Sequence, residues 1–422
     1  MSQSISHVPE LATRAREAMA AGRPDDAARA WRDVLALAPE HPQALFQLGQ
    51  LASHRGAVTE ARGLFERAAT AAPRDPLPPL HLALVNRRLS DMPGEAAALD
   101  RALAADPYCY PALLLKGALL ERLGKPRPAA KIYKDALGIV PADETLSPDM
   151  RQQVAHAREA VAHNTAALKA ELEKDLAPLR ASQDAAALAR FDECRDVAVG
   201  AKKVYVQQPT VLHFPGLPAV QFYDDAMFPW LAALEARTDV IRDEFLKLYR
   251  EDTAGFTPYV DHPEGTPINQ WADLNHSKRW SAQHLWRDGQ RYDEVCRRCP
   301  QTTAACEAVP MIEIENFGPT VLFSALAPRT TIPPHTSSTN VRLIVHLPLI
   351  VPKGCRFRVG NETREWQVGK AWVFDDTIEH EAWNDSDELR VILMIDVWNP
   401  FLTAPERAMV GALLNGVRRY YA

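Results

Sequence analysis

Cysteine is scarce: six among 422 residues are too few for a disulfide scaffold. The opening stretch MSQSISHVPELATRAREAMA has no apolar core behind a basic start, so no secretory signal is visible. Together these absences predict a reducing, cytoplasmic setting. Long hydrophobic runs are missing too. Residues 345–351 form one of the longest, and Pro348 breaks it far short of the roughly 20 residues a spanning helix needs. Nor is there an excess of positive charge: 48 Lys+Arg face 54 Asp+Glu, a formal charge of −6, which argues against a nucleic-acid binder. No phosphate-binding loop and no dinucleotide fingerprint is found. What is there, 47% hydrophobic and 24% charged residues, is the composition of a folded chain of two or three domains.

The first third is periodic. Pro39, Pro73, Pro107 and Pro141 recur every 34 residues, and Gly22, Gly56 and Gly124 keep the same frame, with Ser90 in the third copy. A bulky column runs Trp31, Phe65, Leu99, Tyr133, and a small one Val34, Ala68, Ala102, Ala136. Another, Ala27, Ala61 and Ala129, is interrupted by Glu95, and the second copy adds Leu45, Leu48 and Gly49. Two helices with a turn glycine and a closing proline form a unit that cannot bury its apolar faces alone, so copies must stack. Over residues 8–143 this resembles the tetratricopeptide repeat. The resemblance implies an α-solenoid whose concave face holds a peptide or protein partner. Residues 144–200 stay helical and charged and are expected to cap the solenoid and lead onward, with His156, His163 and Cys194 structural or solvated.

After Gly200 the period changes. Runs at 309–314, 320–326, 341–351, 356–359, 371–374 and 390–398 read as short strands separated by turns, which predicts a sandwich or jelly roll over 201–422. A helical part at 228–249 and a final helix at 404–421 are expected on its outside. His335 and His380, 45 residues apart and each near a strand end, can meet at one iron in a double-stranded β-helix, with Arg390 ten residues further on. A guanidinium so placed can receive a carboxylate in a bidentate pair. Spacing alone leaves open that the histidines are unrelated core residues.

Longer motifs narrow the reading. The run 335–347 (HTSSTNVRLIVHL), 369–383 (GKAWVFDDTIEHEAW) and 390–400 (RVILMIDVWNP) resemble the aspartyl/asparaginyl β-hydroxylase family. So do 214–217 (FPGL) and 280–289 (WSAQHLWRDG), and animal members also carry tetratricopeptide repeats ahead of the catalytic domain. The resemblance implies a double-stranded β-helix (jelly-roll) oxygenase domain that uses Fe(II) and 2-oxoglutarate to hydroxylate the β-carbon of Asp or Asn in a peptide or protein. Carried over by residue, His335 and His380 match the iron ligands and Arg390 the residue holding the distal carboxylate of 2-oxoglutarate. Ser324 matches a hydroxyl assisting at that carboxylate, and His346 a contact to the metal-bound end of the co-substrate.

Departures from the family pattern are specific. Ser337 stands where most 2-oxoglutarate oxygenases have a carboxylate ligand; animal members have Gly there, so water is expected at the vacant position. Ile344 replaces an Arg, and strand alternation places Arg342, Ile344 and His346 on one face, so Arg342 is expected to reach in as substitute. Asp375 and Asp376 are expected to anchor a turn or accept an imidazole N–H rather than bind metal. The family's disulfide would begin at Cys296, but its partner position is Thr303. Cys296 and Cys299, with only Cys306 behind them, do not make a zinc site, and the sequon at Asn361 means nothing without secretion. Rival readings are a hydroxylase of lipid or small molecules, and a non-catalytic repeat scaffold with a degenerate oxygenase domain.

Overall fold

A computed structural model of the protein describes residues 7–421. Two compact units divide between Ala201 and Lys202. In the first, antiparallel helix pairs follow the 34-residue frame: Val8–Ala20 with Pro24–Leu37, Pro42–His54 with Val58–Ala71, Leu77–Arg88 with Met92–Ala105, and Tyr110–Arg122 with Pro126–Leu137. Gly22, Gly56 and Gly124 turn each pair at positive φ, and Ser90 takes the same left-handed conformation at φ 57° despite its side chain. Trp31, Phe65, Leu99 and Tyr133 are fully buried. A Cβ on Gly49 would lie 2.7 Å from the Phe65 ring, so the missing side chain is what lets the aromatic seat between helices. The helix Pro148–Arg180 starts at Ser147, whose hydroxyl accepts from Met150 N, and buries Val154 and Ala157 against the last pair. His156 there bonds Glu121, while Cys194 is exposed.

The second unit is built on two antiparallel sheets. Among the described residues one sheet runs β1 (Thr257–Pro258), β2 (Trp280–Arg287), β4 (Val321–Leu326), β11 (Arg390–Trp398), β6 (Arg342–Ile350), β9 (Trp372–Phe374), with β3 (Gln290–Arg291) off β2. The smaller runs β5 (Thr330–His335), β10 (His380–Asn384), β7 (Cys355–Val359), β8 (Glu362–Glu365). Alternation along β6 divides its burden: Leu343, Val345 and Leu347 pack with Ile241, Phe245 and Leu248 of the helix Thr238–Glu251, while Ile344 faces the cluster holding Ile332, Phe357 and Phe374.

Several expected elements are redrawn. Segment 309–314 is no strand, only bridges at Met311 and Ile314; Pro310 offers no donor, and Asn316 at φ 57° turns the chain back. The helix expected over 228–249 splits into Leu231–Glu235 and Thr238–Glu251, where Thr238 Oγ1 donates to Glu235 O at 2.6 Å. Strands β2, β5, β8 and β10 join the list, with the two-residue β1 and β3. In β5, Pro333 and Pro334 mask the strand signal, yet it is an edge strand, where missing donors cost little. The final helix is Ala404–Tyr421.

Candidate active site

The two histidines meet across a strand pair. His335 ends β5, His380 opens β10, and they are register partners with ring centroids 4.0 Å apart. Each Nδ1 lies near a backbone carbonyl two residues upstream, Pro333 O at 2.8 Å and Ile378 O at 3.0 Å. A carbonyl only accepts, so each Nδ1 carries the hydrogen and each Nε2 keeps its lone pair free. Burial pushes the His335 pKa down to about 3, helped by the nearness of His380, and that of His380 to about 4. Two neutral imidazoles with free Nε2 atoms side by side could hold a metal ion. Among the described residues no cluster of three or more His, Cys, Asp or Glu can hold a metal, so carboxylates do not complete the set.

Asp375 and Asp376 take other work. Asp375 anchors its turn, accepting from Thr377 N (2.9 Å), Thr377 Oγ1 (2.6 Å) and Gln207 Nε2 (2.6 Å), and burial pushes its pKa up to about 6. Of the two alternatives expected, anchoring the turn is the one Asp375 realises; neither carboxylate accepts an imidazole N–H, because backbone carbonyls already occupy both Nδ1 atoms. Asp376 instead accepts from Arg342 Nη2 at 2.8 Å. The same Nη2 donates to Ser337 Oγ at 2.8 Å, and Arg342 Nη1 donates to Asp396 at 3.3 Å. Arg342 thus lines the cavity with both terminal nitrogens committed and only Nε unpartnered. Ser337, two residues past His335, is held by Arg342.

Arg390 opens β11 and is 1% exposed, the second largest of the fully buried side chains. No carboxylate pairs with it among the described residues. Its Nη1 donates to Ser324 Oγ at 3.4 Å, its guanidinium lies 4.9 Å from the Trp366 ring, and Nε has no partner. Burial lowers its pKa to about 10. Trp280 Nε1 also donates to Ser324 Oγ, at 3.1 Å, which leaves the hydroxyl hydrogen free to point at a ligand. His346 on β6 sits between Phe357 and Phe374, with centroids at 5.0 and 4.7 Å. Neither of its ring nitrogens has a partner, and burial holds its pKa well below the usual value.

Apart from Asp375 and its partners Thr377 and Gln207, the side chains described above open onto one cavity of about 620 Å³. Ser324, His335, Arg342, His346, His380 and Arg390 line it together, and Ile344 faces it as an apolar wall. Unpaired buried polar groups are costly, so the unneutralised Arg390 and unpartnered His346 fit an anionic ligand placed beside the histidine pair. Residues not singled out in the sequence complete the walls: Trp366 under Arg390, Trp271 edge-on to His335 at 4.9 Å, and Tyr259 stacked on Trp280 at 3.8 Å. They lie outside regular strands or at their margins, and only the Trp280 motif carried a signal. Cys296, Cys299 and Cys306 are buried free thiols away from the cavity, with Thr303 Oγ1 donating to the carbonyls of Cys296 and Cys299.

Comparison with known proteins agrees with both halves. The family model described as Aspartyl/Asparaginyl beta-hydroxylase matches residues 235–400, and one described as Tetratricopeptide repeat matches 13–76. The chain is 35% identical over 182 residues to the human "Aspartyl/asparaginyl beta-hydroxylase", covering 43% of this chain and 22% of that protein. It is 34% identical over 197 residues to the "Ornithine lipid ester-linked acyl 2-hydroxylase" of Rhizobium tropici, covering 46% of this chain and 65% of the relative. The chain therefore spans less than two thirds of the length of these relatives. Among solved structures, "Crystal structure of MamA protein" aligns at 20% identity and TM-score 0.33 over 42% of this chain and 96% of its own.

Proposed function

We propose, for a chain in which tetratricopeptide repeats precede an aspartyl/asparaginyl β-hydroxylase domain, that it is an Fe(II)- and 2-oxoglutarate-dependent hydroxylase of an unactivated carbon. Its substrate in this reading is the β-carbon of Asp or Asn in a peptide or protein. The observation that carries it is the unpaired, buried Arg390 in the same cavity as two neutral histidines with free Nε2 atoms. His335 and His380 would hold the metal, and Arg390 with the Ser324 hydroxyl the distal carboxylate of 2-oxoglutarate. When bound, iron and 2-oxoglutarate supply the oxidising chemistry: dioxygen is consumed, succinate and CO2 leave, and one oxygen atom enters a C–H bond.

The chain's own residues bind, orient and exclude water. Arg390 offers two terminal nitrogens against a carboxylate, and Ser324, already accepting from Trp280 and Arg390, donates its hydrogen. His346, neutral and unpartnered, offers one N–H to the co-substrate's other end. Ile332, Ile344, Phe357 and Phe374 make a dry wall around them, where each charge-assisted contact is worth more than in water. The repeats present a surface on which a polypeptide substrate docks, raising its effective concentration at the tethered site.

The test is succinate release from 2-oxoglutarate by the Fe(II)-loaded full chain, with peptide pools containing Asp or Asn screened for a product heavier by one oxygen atom. No succinate under any condition refutes the reading and leaves the scaffold alternative. A second substrate reading, a lipid acyl chain, is favoured by the apolar Ile344 wall and the rhizobial relative's name. Vesicles containing an ornithine lipid, run beside the peptides, decide between them.

A further inference from the structure

The repeat unit holds a second cavity that the hydroxylase chemistry does not use. It lies between the first helices of two successive repeats, Pro42–His54 and Leu77–Arg88, encloses about 460 Å³, and is lined by Ser53, His54, His81, Leu84, Arg87 and Arg88 together with Gln50. No acidic side chain lines it. Several arginines of neighbouring repeat positions are matched by carboxylates: Arg55 pairs with Glu60, Arg62 with Asp91, Arg101 with Glu66 and Arg122 with Glu95. Among the described residues neither Arg87 nor Arg88 pairs with a carboxylate. Arg88 donates only to Ser53, at its carbonyl (3.3 Å) and hydroxyl (3.2 Å), both neutral acceptors.

The repeat frame explains why the charge is local. Equivalent positions 34 residues apart read Ser53, Arg87, Glu121 and His54, Arg88, Arg122. In the next repeat Glu121 replaces Arg87 and is taken by Tyr133 and His156, while Arg122 is neutralised by buried Glu95. The positive stretch is therefore confined to one groove, too short for the basic track a nucleic-acid backbone requires. It is not wholly polar either. Leu84 is 38% exposed on its floor, and His81 lies against the Phe46 and Phe65 rings at 5.1 and 5.4 Å. Burial, with His54 beside it, lowers the His81 pKa, so His81 offers a neutral N–H while the arginines supply charge.

We propose that this groove docks an extended acidic peptide segment, two of its carboxylates on Arg87 and Arg88 and an apolar side chain on Leu84. The proposal rests on the reading of the repeats as a peptide-docking surface and adds the charge of the segment and its seat. Guanidinium groups recognise carboxylates through paired, charge-assisted hydrogen bonds, and two exposed arginines held on adjacent helix positions present them without new ordering of the backbone.

The test uses the full chain and fluorescence anisotropy with three labelled probes: a short peptide of Asp, Glu, Ser and Leu, its Asn/Gln isostere, and a single-stranded oligonucleotide of the same net charge. The acidic peptide is expected to bind about tenfold or more tighter than the isostere at low salt. The R87Q/R88Q double variant should lose that preference, and Arg55→Gln, which removes a paired arginine outside the groove, should not. Both changes are at exposed positions, and far-UV circular dichroism checks the fold. Equal binding of peptide and isostere, an unchanged R87Q/R88Q variant, or an oligonucleotide bound as tightly as the peptide would each overturn the proposal while leaving peptide docking as such intact. Failure of every peptide to bind would overturn both.

Discussion

Replacing Arg390 by methionine should weaken 2-oxoglutarate binding yet leave the ligand-free fold at least as stable. The guanidinium is 1% exposed, and burial takes its pKa from 12.5 to about 10. At about 1.36 kcal/mol per unit, holding the charge there costs roughly 3 kcal/mol. At neutral pH the group is protonated in both folded and unfolded chain, so the cost is fully present; it fades only as pH rises from about 10 toward 12.5. The Trp366 ring at 4.9 Å returns about 1–2 kcal/mol of cation–π attraction. Methionine fills much of the same volume without the charge, so the empty variant should gain about 1–2 kcal/mol, or a few degrees in a unit of this size. Co-substrate binding moves the other way: losing a charge-assisted hydrogen bond worth about 1.5–3 kcal/mol weakens 2-oxoglutarate roughly ten- to hundred-fold. Thermal melts with Mn(II) as a redox-silent metal, with and without 2-oxoglutarate, read both effects. A ligand-free variant that melts several degrees below the wild type, or one that 2-oxoglutarate stabilises as much, would refute the reasoning.

His335→Ala and His380→Ala should each lose metal binding and succinate release, since one imidazole would remain; full turnover by either folded variant would sink the ligand assignment. Acidification should destabilise the ligand-free chain. His284 and His380 near 4, His335 near 3, and His346 well below its usual value stay neutral when folded, whereas unfolded imidazoles protonate near 6.5. Asp375 and Asp396, both raised to about 6 by burial, act in the opposite sense. His81, lowered by burial, and Asp225, raised by burial, act one in each sense. The four imidazoles against two carboxylates still leave the unfolded chain about two protons richer between pH 6 and pH 4, so stability should fall by roughly 3 kcal/mol per pH unit as pH drops through that window. Urea titrations at pH 7 and pH 5 check this, and equal midpoints would contradict it.

How much of this the sequence carried depends on the kind of signal. The repeats were legible because stacking imposes a fixed frame: the prolines, turn glycines and the Trp31–Phe65–Leu99–Tyr133 column all answer to one geometry. Arg390 and the histidines stood out through motifs, and the structure brings them to one cavity although β5 and β10 were not read as strands. Pro333 and Pro334 hid β5 because strand signals assume a central strand. Trp366, Trp271 and Tyr259 were silent, since an aromatic in a loop has no period to betray which wall it joins. The sign of charge in the repeat groove was also hidden. It depends on which arginines find carboxylates, and Arg62 and Arg87 look alike in sequence although only Arg62 is paired.

Arg342 shows why a position on the correct face does not settle a role. Its guanidinium touches Ser337, Asp376 and Asp396, with a side chain 13% exposed and two carboxylates around one cation. Such buried clusters add little net stability, because desolvation offsets attraction. Their value here is positional: Ser337 lies two residues after His335 and Asp376 four before His380, so one guanidinium ties together the two loops that carry the histidine pair. As a positioning residue it should set metal affinity. Arg342→Met is then expected to weaken Mn(II) binding about tenfold or more in a folded chain, with Arg342→Lys restoring part of it by keeping one charged contact. A direct co-substrate ligand would behave differently, leaving metal affinity unchanged and weakening 2-oxoglutarate as much as Arg390→Met does. That second pattern, measured by calorimetric titration of metal first and co-substrate afterwards, would overturn the positional role and return Arg342 to the place the missing Arg at Ile344 leaves open.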